Sequence, residues 1–287
     1  MEILNLYNVE LNKIKEMVPT VKEQKFDKIK TSILQPTKEN HWYDFYKPTD
    51  ITIGNRLGNE KDLKELCDYA KRYDIDIIVE TIINQFNLDN EIHNHTQEKR
   101  LPAIENWNNR EEVINGKIDG LWTPDIYNDE YLQKIYKFYK KLIDCGVKGI
   151  EIHGAKQIAL PYEKFLLKDS GSTEFWNIIK YLSQNFNVDF YADLALSEKT
   201  LIRNYLEYAK AIVNRSSGIP QNPNCVVNTE NYDSYYNYRT RYLSNNDINQ
   251  MYDDLQTFFP STEYFARPYD DGWKKTRVRI ANEVNKK

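Results

Sequence analysis

The sequence lacks any long apolar run, and none approaches the roughly 18 residues that a membrane-spanning helix needs. Its first residues, MEILNLYNVE, have neither the basic start nor the apolar centre of a secretory signal. We therefore expect a cytoplasmic protein that does not associate with a membrane.

The sequence also has no excess of positive charge and contains few cysteines. The 39 Lys and Arg residues face 43 Asp and Glu residues, a net charge of −4, so binding of nucleic acid through bulk charge is not expected. The three cysteines, Cys67, Cys145 and Cys225, lie far apart and show no CxxC spacing. An odd number of dispersed cysteines indicates reduced thiols and not a disulfide framework or a zinc site.

What the 287 residues do contain is a regular alternation of strand-like and helix-like segments. Residues 75–83 (IDIIVETII) are a β-branched run typical of a parallel strand buried on both faces. The other predicted strands are 1–6, 26–34, 147–153, 188–194 and 226–229, and the main predicted helices are 11–21, 60–73, 129–145, 173–185 and 198–213. This many βα units predict an α/β fold of the TIM-type (β/α)8 barrel class, with residues 1–287 as one domain.

Two regions depart from the alternation. Residues 84–128 are polar and rich in Asn and Glu, and an irregular stretch of that length is usually functional or disordered. Only NRSSGIPQNPNC separates the helix predicted over 198–213 from the strand at 226–229. We therefore expect a barrel that is shortened around its sixth strand and at its C-terminus.

Four motifs at the predicted strand ends are more specific than the alternation. They are Trp42 to Phe86 (containing WYDFYKP and ETIINQ), GVKGIEIHGAKQIALP from Gly146 to Pro161, DFYADLA from Asp189 to Ala195, and ENYDSYYN from Glu230 to Asn237. In order and spacing these motifs resemble the alpha-amylase family of glycoside hydrolases. The resemblance implies that family's barrel, with residues 84–128 as a reduced form of its B-type excursion after the third strand.

The resemblance also assigns the reacting positions. The nucleophile position holds His153, and the arginine position two residues earlier holds Glu151. The acid/base position holds Asp193, and the third carboxylate is Asp233. A retaining glycosidase needs two carboxyl groups about 5–5.5 Å apart, one of them the nucleophile. The family's retaining mechanism is therefore expected to be lost.

Other matched positions are implied to contact sugar: Tyr46, Lys47, Glu80, Gln85, His153, Lys156 and Tyr232. Tyr46 corresponds to the aromatic residue beneath the reacting sugar, while Gln85 and Tyr232 replace two histidines. Asn84 matches a calcium-ligand position, so the resemblance suggests calcium as a cofactor.

The chemistry of the carboxylates leaves alternatives open. His153 is either an ordinary buried histidine or part of a divalent-metal site. Carboxylates close together raise one another's pKa, and we expect only Lys156 and a protonated His153 to balance them. The cluster in question consists of Glu80, Glu151, Asp193 and Asp233.

Three functions remain as hypotheses. The leading one is a catalytically degenerate relative of the glycosidases that keeps a glucan-shaped cleft and binds an α-glucan or another oligosaccharide, with a binding or regulatory role. The second is an active, divergent glycoside hydrolase that uses Asp193 and Asp233, since inversion needs only two carboxyls about 6.5–9.5 Å apart. The third is a scaffold for a protein partner.

Overall fold

The computed structural model describes residues 3–6, 8–39, 42–94, 96–168, 171–194, 199–214 and 225–228. The strands are β1 (Ile3–Leu6), β2 (Lys28–Thr31), β3 (Gly54–Asn55), β4 (Gly58–Asn59), β5 (Asp76–Thr81), β6 (Gly149–Ile152), β7 (Asp189–Asp193), β8 (Lys210–Asn214) and β9 (Cys225–Asn228). The helices are α1 (Leu11–Glu23), α2 (Glu60–Ala70), α3 (Arg110–Asn115), α4 (Asp129–Asp144), α5 (Phe175–Phe186) and α6 (Lys199–Tyr205). Short 3₁₀ helices lie at Trp42–Tyr46, Lys71–Tyr73, Ile92–Asn94, Ala155–Gln157 and Pro161–Leu166.

Seven strands form one sheet in the order β1-β2-β5-β6-β7-β8-β9, which is their order along the chain once the β3–β4 hairpin is set aside. Every neighbouring pair in this sheet is parallel. Sequential parallel neighbours joined through helices are the arrangement of a TIM-type barrel wall. The predicted fold class is confirmed.

The sixth strand of this sheet, β8, corrects the predicted boundaries. A helix was expected over 198–213, but α6 ends at Tyr205 and β8 begins at Lys210. The run Ala211–Val213 favours a strand, and β8 pairs with β7 on one side and β9 on the other. Only ten residues, 215–224, separate β8 from β9, fewer than the dozen or more that a parallel crossover usually takes, so the chain is short at the segment where shortening was expected.

Helices cover the outer face of the sheet because each carries one apolar stripe. In α4 the Asn128 side chain accepts a hydrogen bond from the backbone N–H of Tyr131 at 3.1 Å, which caps the helix start. Past its end, Gly146 adopts a left-handed conformation with φ of 95°. The buried stripe of α4 consists of Tyr131, Leu132, Ile135, Phe138, Tyr139 and Leu142. Within the ranges given above, no helix has the length and apolar character needed to cross a bilayer.

The inner face of the sheet has an apolar layer between two charged ones. Alternate residues of a strand share a face, and on this face Ile78 of β5 and Tyr191 of β7 pack with Ile3, apart from the main core. Toward the N-terminal ends of the strands lies a charged layer. Its contacts join Lys28 to Asp76 at 3.2 Å, Lys28 to Asp189 at 3.1 Å and Lys210 to Asp189 at 2.6 Å.

At the C-terminal ends of the strands lies the other charged layer, which we call the mouth layer: Lys30, Glu80, Glu151, His153 and Asp193. The sheet register aligns Glu80 of β5 with Glu151 of β6. Barrels of this type build their active sites at this end.

The middle layer depends on a glycine. A Cβ atom on Gly149 would lie 2.6 Å from Cγ1 of Ile78 and 3.0 Å from Cε2 of Tyr191. We therefore expect Gly149→Ala to lower the free energy of unfolding by about 1–3 kcal/mol through overpacking, measured by urea unfolding. The same substitution in an Ile78→Ala background should cost clearly less, because the closest atom is gone. An equal cost in both backgrounds would contradict this packing.

Candidate functional site

A buried lysine lies between two carboxylates in the mouth layer. Lys30 Nζ is 2.9 Å from Glu151 Oε2 and 3.4 Å from Glu80 Oε2. All three residues are buried, with exposed fractions of 6% for Lys30, 3% for Glu80 and 2% for Glu151. The sequence reasoning missed Lys30. The available signal was the alternation of Lys28 and Lys30 in a strand predicted to stand beside the strand that carries Glu80.

His153 connects this ion pair to the acid/base position. Its Nδ1 atom lies 3.1 Å from Glu80 Oε1 and 3.6 Å from Asp193 Oδ2. Burial acts to lower the pKa of His153, but the hydrogen bond to Glu80 and the charges of Glu80, Asp193 and Glu151 raise it above its ordinary value. The imidazolium form is therefore favoured, with both ring nitrogens protonated.

The pKa of Glu80 moves in the opposite direction from our expectation. Burial acts to raise it, but the charge of Lys30 and the hydrogen bond to His153 outweigh burial and lower the pKa of Glu80 to about 2. The expectation that crowding raises the carboxylate pKa is thus wrong at Glu80. The pKa of Glu80 is lowered because Lys30, a buried cation that was not predicted from the sequence, lies beside the carboxylate.

The structure brings three of the implied sugar contacts together beside the mouth layer. The Tyr46 ring lies against the His153 ring, with 5.1 Å between centroids and 49° between planes. The Gln85 side-chain amide donates a hydrogen bond of 2.6 Å to the backbone carbonyl of Tyr46. Lys47, one residue further, forms an ion pair of 3.1 Å with Asp44.

Lys156 contributes a cation to the same end of the barrel. Its Nζ atom lies 4.8 Å from the centroid of the Trp107 ring. Burial lowers the pKa of Lys156, although the nearby Asp193 acts to raise it. Trp107 comes from the long polar segment 84–128 and was not predicted as a site residue; the available signal was a Trp within a run of Asn and Glu residues.

Two of the implied site residues, Tyr232 and Asp233, lie outside the described residues. The described residues of the mouth layer therefore come from β2, β5, β6 and β7 and the ends of these strands. These strands bring together Lys30, Glu80, Glu151, His153 and Asp193.

The surroundings of Asn84 do not fit calcium. Its Nδ2 atom donates to Gln157 Oε1 at 2.6 Å and to the carbonyl of Gly154 at 3.3 Å, and its buried Oδ1 atom has no hydrogen-bond partner. Calcium takes six to eight oxygen ligands, carboxylates prominent among them. In the part of the chain that the structure describes, no three His, Cys, Asp or Glu residues are grouped closely enough to hold a metal. One amide oxygen does not make a calcium site.

The Arg110 guanidinium is a half-buried cation that contacts the connection following β6. Arg110 forms two parallel bonds with Glu163, Nε to Oε1 at 2.7 Å and Nη2 to Oε2 at 2.6 Å. It also donates to the Tyr205 hydroxyl at 2.9 Å, to the carbonyl of Ile158 at 3.2 Å and to the carbonyl of Lys156. One side chain thus joins the long segment 84–128, the connection after β6 and the end of α6.

Known proteins with similar sequences support the resemblance, although no family model matches the chain. An alpha-amylase of Clostridium acetobutylicum is 27% identical over 212 residues, which cover 67% of this chain and 27% of the relative. An alpha-amylase of Butyrivibrio fibrisolvens is 30% identical over 136 residues, or 42% of this chain and 14% of the relative. The chain therefore matches only about a quarter of the length of the first of these enzymes and less of the second.

Solved structures agree on the fold. The alpha-amylase of Geobacillus thermoleovorans, in complex with acarbose, superposes with a TM-score of 0.61 at 16% identity, covering 74% of this chain and 50% of that one. Alpha-amylase I of Eisenia fetida, in complex with maltohexaose, gives a TM-score of 0.60 at 15% identity, covering 73% and 48%.

The fold is therefore a TIM-type barrel like that of the solved alpha-amylases. More particularly, the chain is similar in sequence to bacterial alpha-amylases over part of their length and shares the fold of solved alpha-amylases.

The protonation of His153 should make stability depend on pH. The unfolded imidazole titrates near pH 6.5 and the folded one higher, so the stabilisation is complete below about pH 6.5 and is lost as the pH rises through the folded-state pKa. We expect the free energy of unfolding to fall as the pH rises above this value, and to fall less in His153→Gln. Chemical unfolding between pH 5.5 and 9 measures it. His93→Gln, at an exposed position, is the control, and equal slopes in wild type and His153→Gln would contradict the geometry.

Removal of the Arg110 guanidinium should leave the Glu163 carboxylate buried without its partner. We expect Arg110→Met to lower the free energy of unfolding by about 3–5 kcal/mol, measured by thermal and chemical unfolding. Added calcium should neither stabilise the wild type nor rescue the variant. Lys38→Met, which breaks the exposed pair with Asp89, is the control and should leave the melting temperature unchanged. A calcium-dependent rise in the melting temperature would show that the residues around Asn84 do bind calcium.

Proposed function

We propose that this barrel binds α-glucan oligosaccharides without hydrolysing them. The observation that carries the proposal is the position of His153 Nδ1 between Glu80 and Asp193, at 3.1 and 3.6 Å. A group that attacks the anomeric carbon needs a free lone pair, and an imidazolium has none. The nucleophile position is thus held in a non-nucleophilic form by its own neighbours.

The acid/base position is affected by the same contact. A general acid must carry a proton that it can give to the leaving oxygen. Asp193 faces an imidazolium, and a nearby positive charge favours the ionised carboxylate. Neither of the two described positions therefore supports the double-displacement chemistry of a retaining enzyme.

Features that hold a sugar are nevertheless present. The half-buried Tyr46 ring lies beside His153 at the mouth, and an aromatic face offers apolar surface with a polar handle. Trp107, 42% exposed, provides a second ring with the Lys156 ammonium above it. The acarbose and maltohexaose complexes of the two structural relatives support a glucan oligosaccharide as the ligand class. A binding or regulatory role follows if cleavage is absent.

The test is isothermal titration with maltoheptaose, combined with chromatographic analysis of the sugar afterwards. We expect weak binding by the wild type, unchanged sugar, and a loss of affinity of about tenfold or more in Tyr46→Ala, which corresponds to about 1.4 kcal/mol. Tyr181→Ala removes an exposed ring of α5 and is the matched control, expected to bind as the wild type does.

The same experiment separates the other two hypotheses. Cleavage of maltoheptaose that disappears in Asp193→Asn would overturn the proposal in favour of a divergent hydrolase. Absence of heat with this and other oligosaccharides would favour a scaffold for a protein partner.

A further inference from the structure

A second pocket lies away from the mouth layer. Its cavity has a volume of about 260 Å³, and we call it the Lys99 pocket. It is lined by Lys99, Arg100, Leu101, Asn115, Asp125, Tyr127, Leu167, Lys168 and Gly171. None of these residues belongs to the mouth layer or to the implied sugar contacts, so the proposed glucan binding leaves this pocket unused.

Lys99 is the unusual member of this lining because it is a buried lysine without a carboxylate partner. It is only 7% exposed. Its Nζ atom donates a hydrogen bond of 2.7 Å to the carbonyl of Ile114 and lies 5.7 Å from the centroid of the Tyr127 ring. No described carboxylate lies within ion-pairing distance of it, and Asp125 acts on it only from further away.

This environment changes the chemistry of the amine. Burial, with a smaller contribution from the positive charge of Arg110, lowers the pKa of Lys99 to about 7, while Asp125 acts in the opposite direction. A large fraction of the side chain is therefore a neutral amine near neutral pH. A desolvated neutral lysine is a nucleophile toward carbonyl carbon.

The other charged residues of the lining indicate what kind of molecule fits. Arg100 and Lys168 are exposed residues of the lining, and its acidic residue is Asp125. Lys168 also pairs with Glu111. With Lys99 counted as a neutral amine, the lining still holds two positive residues, Arg100 and Lys168, against one negative residue, Asp125, which favours an anionic ligand. The volume lies just below the roughly 300–1,000 Å³ typical of ligand pockets, so the ligand must be small.

We propose that the Lys99 pocket is a covalent ligand site, in which the Lys99 amine forms a reversible imine with a small anionic aldehyde. The nitrogen lone pair attacks the carbonyl carbon to give a carbinolamine. Loss of water, which carries away the carbonyl oxygen, then gives the C=N bond. No oxidant or reductant is needed, and hydrolysis reverses the reaction.

Pyridoxal 5′-phosphate is a suitable probe because it is an anionic aldehyde whose imine absorbs visible light. The full-length protein is mixed with an equimolar amount of the probe, reduced with borohydride, digested and mapped by mass spectrometry. We expect Lys99 to be labelled at least about tenfold more than any other lysine. Labelling should increase with pH through about pH 7, since only the neutral amine reacts.

Two variants sharpen the experiment. Lys99→Met should abolish the absorbance of the imine, whereas Lys61→Met, at an exposed position of α2, should not change it. If Lys99→Met does not fold, the peptide map of the wild type still decides the question. Labelling spread evenly over exposed lysines would overturn the proposal. Equal labelling of Lys99 by uncharged pyridine-4-carbaldehyde would overturn the preference for an anionic ligand.

Discussion

The ion pair that Lys30 forms with Glu80 and Glu151 determines the state of the mouth. Two carboxylates on neighbouring strands, both almost fully buried, could not both stay ionised without a cation between them. With Lys30 in place, the pKa of Glu80 is lowered and its carboxylate lies within hydrogen-bonding distance of His153, whose own pKa Glu80 and Asp193 raise against the effect of burial. The ionisation of Glu80, and through it that of His153, thus depends on one lysine on β2.

We interpret these buried ion pairs as fixing the geometry of the mouth layer more than as adding to the free energy of unfolding. A buried ion pair often contributes little net stability, since desolvation of the charges offsets their attraction, while the loss of one partner is costly. Each member of the mouth layer therefore constrains the others. The geometry of the mouth is thus fixed by contacts among its own charged residues.

Sequence patterns predicted those features that depend on local order. The β-branched run of β5 and the motif from Gly146 to Pro161 located two neighbouring strands and the residues at their ends. The boundary between α6 and β8 could not be predicted, because a short apolar run suits a helix or a strand equally well and pairing with β7 and β9 decides between them. Lys30 was missed for a related reason: its role depends on strand register and burial, which are properties of the assembled sheet.

The apolar layer of Ile3, Ile78 and Tyr191 has a consequence for how this barrel can diverge. Below it, Lys28 and Lys210 are matched by Asp76 and Asp189, so that end of the barrel neutralises its own charge. The apolar layer separates these ion pairs from the mouth layer at the C-terminal ends of the strands. A change of charge at the C-terminal ends of the strands can then be compensated locally, as the pairing of Glu151 with Lys30 illustrates, without disturbing the ion pairs at the N-terminal ends.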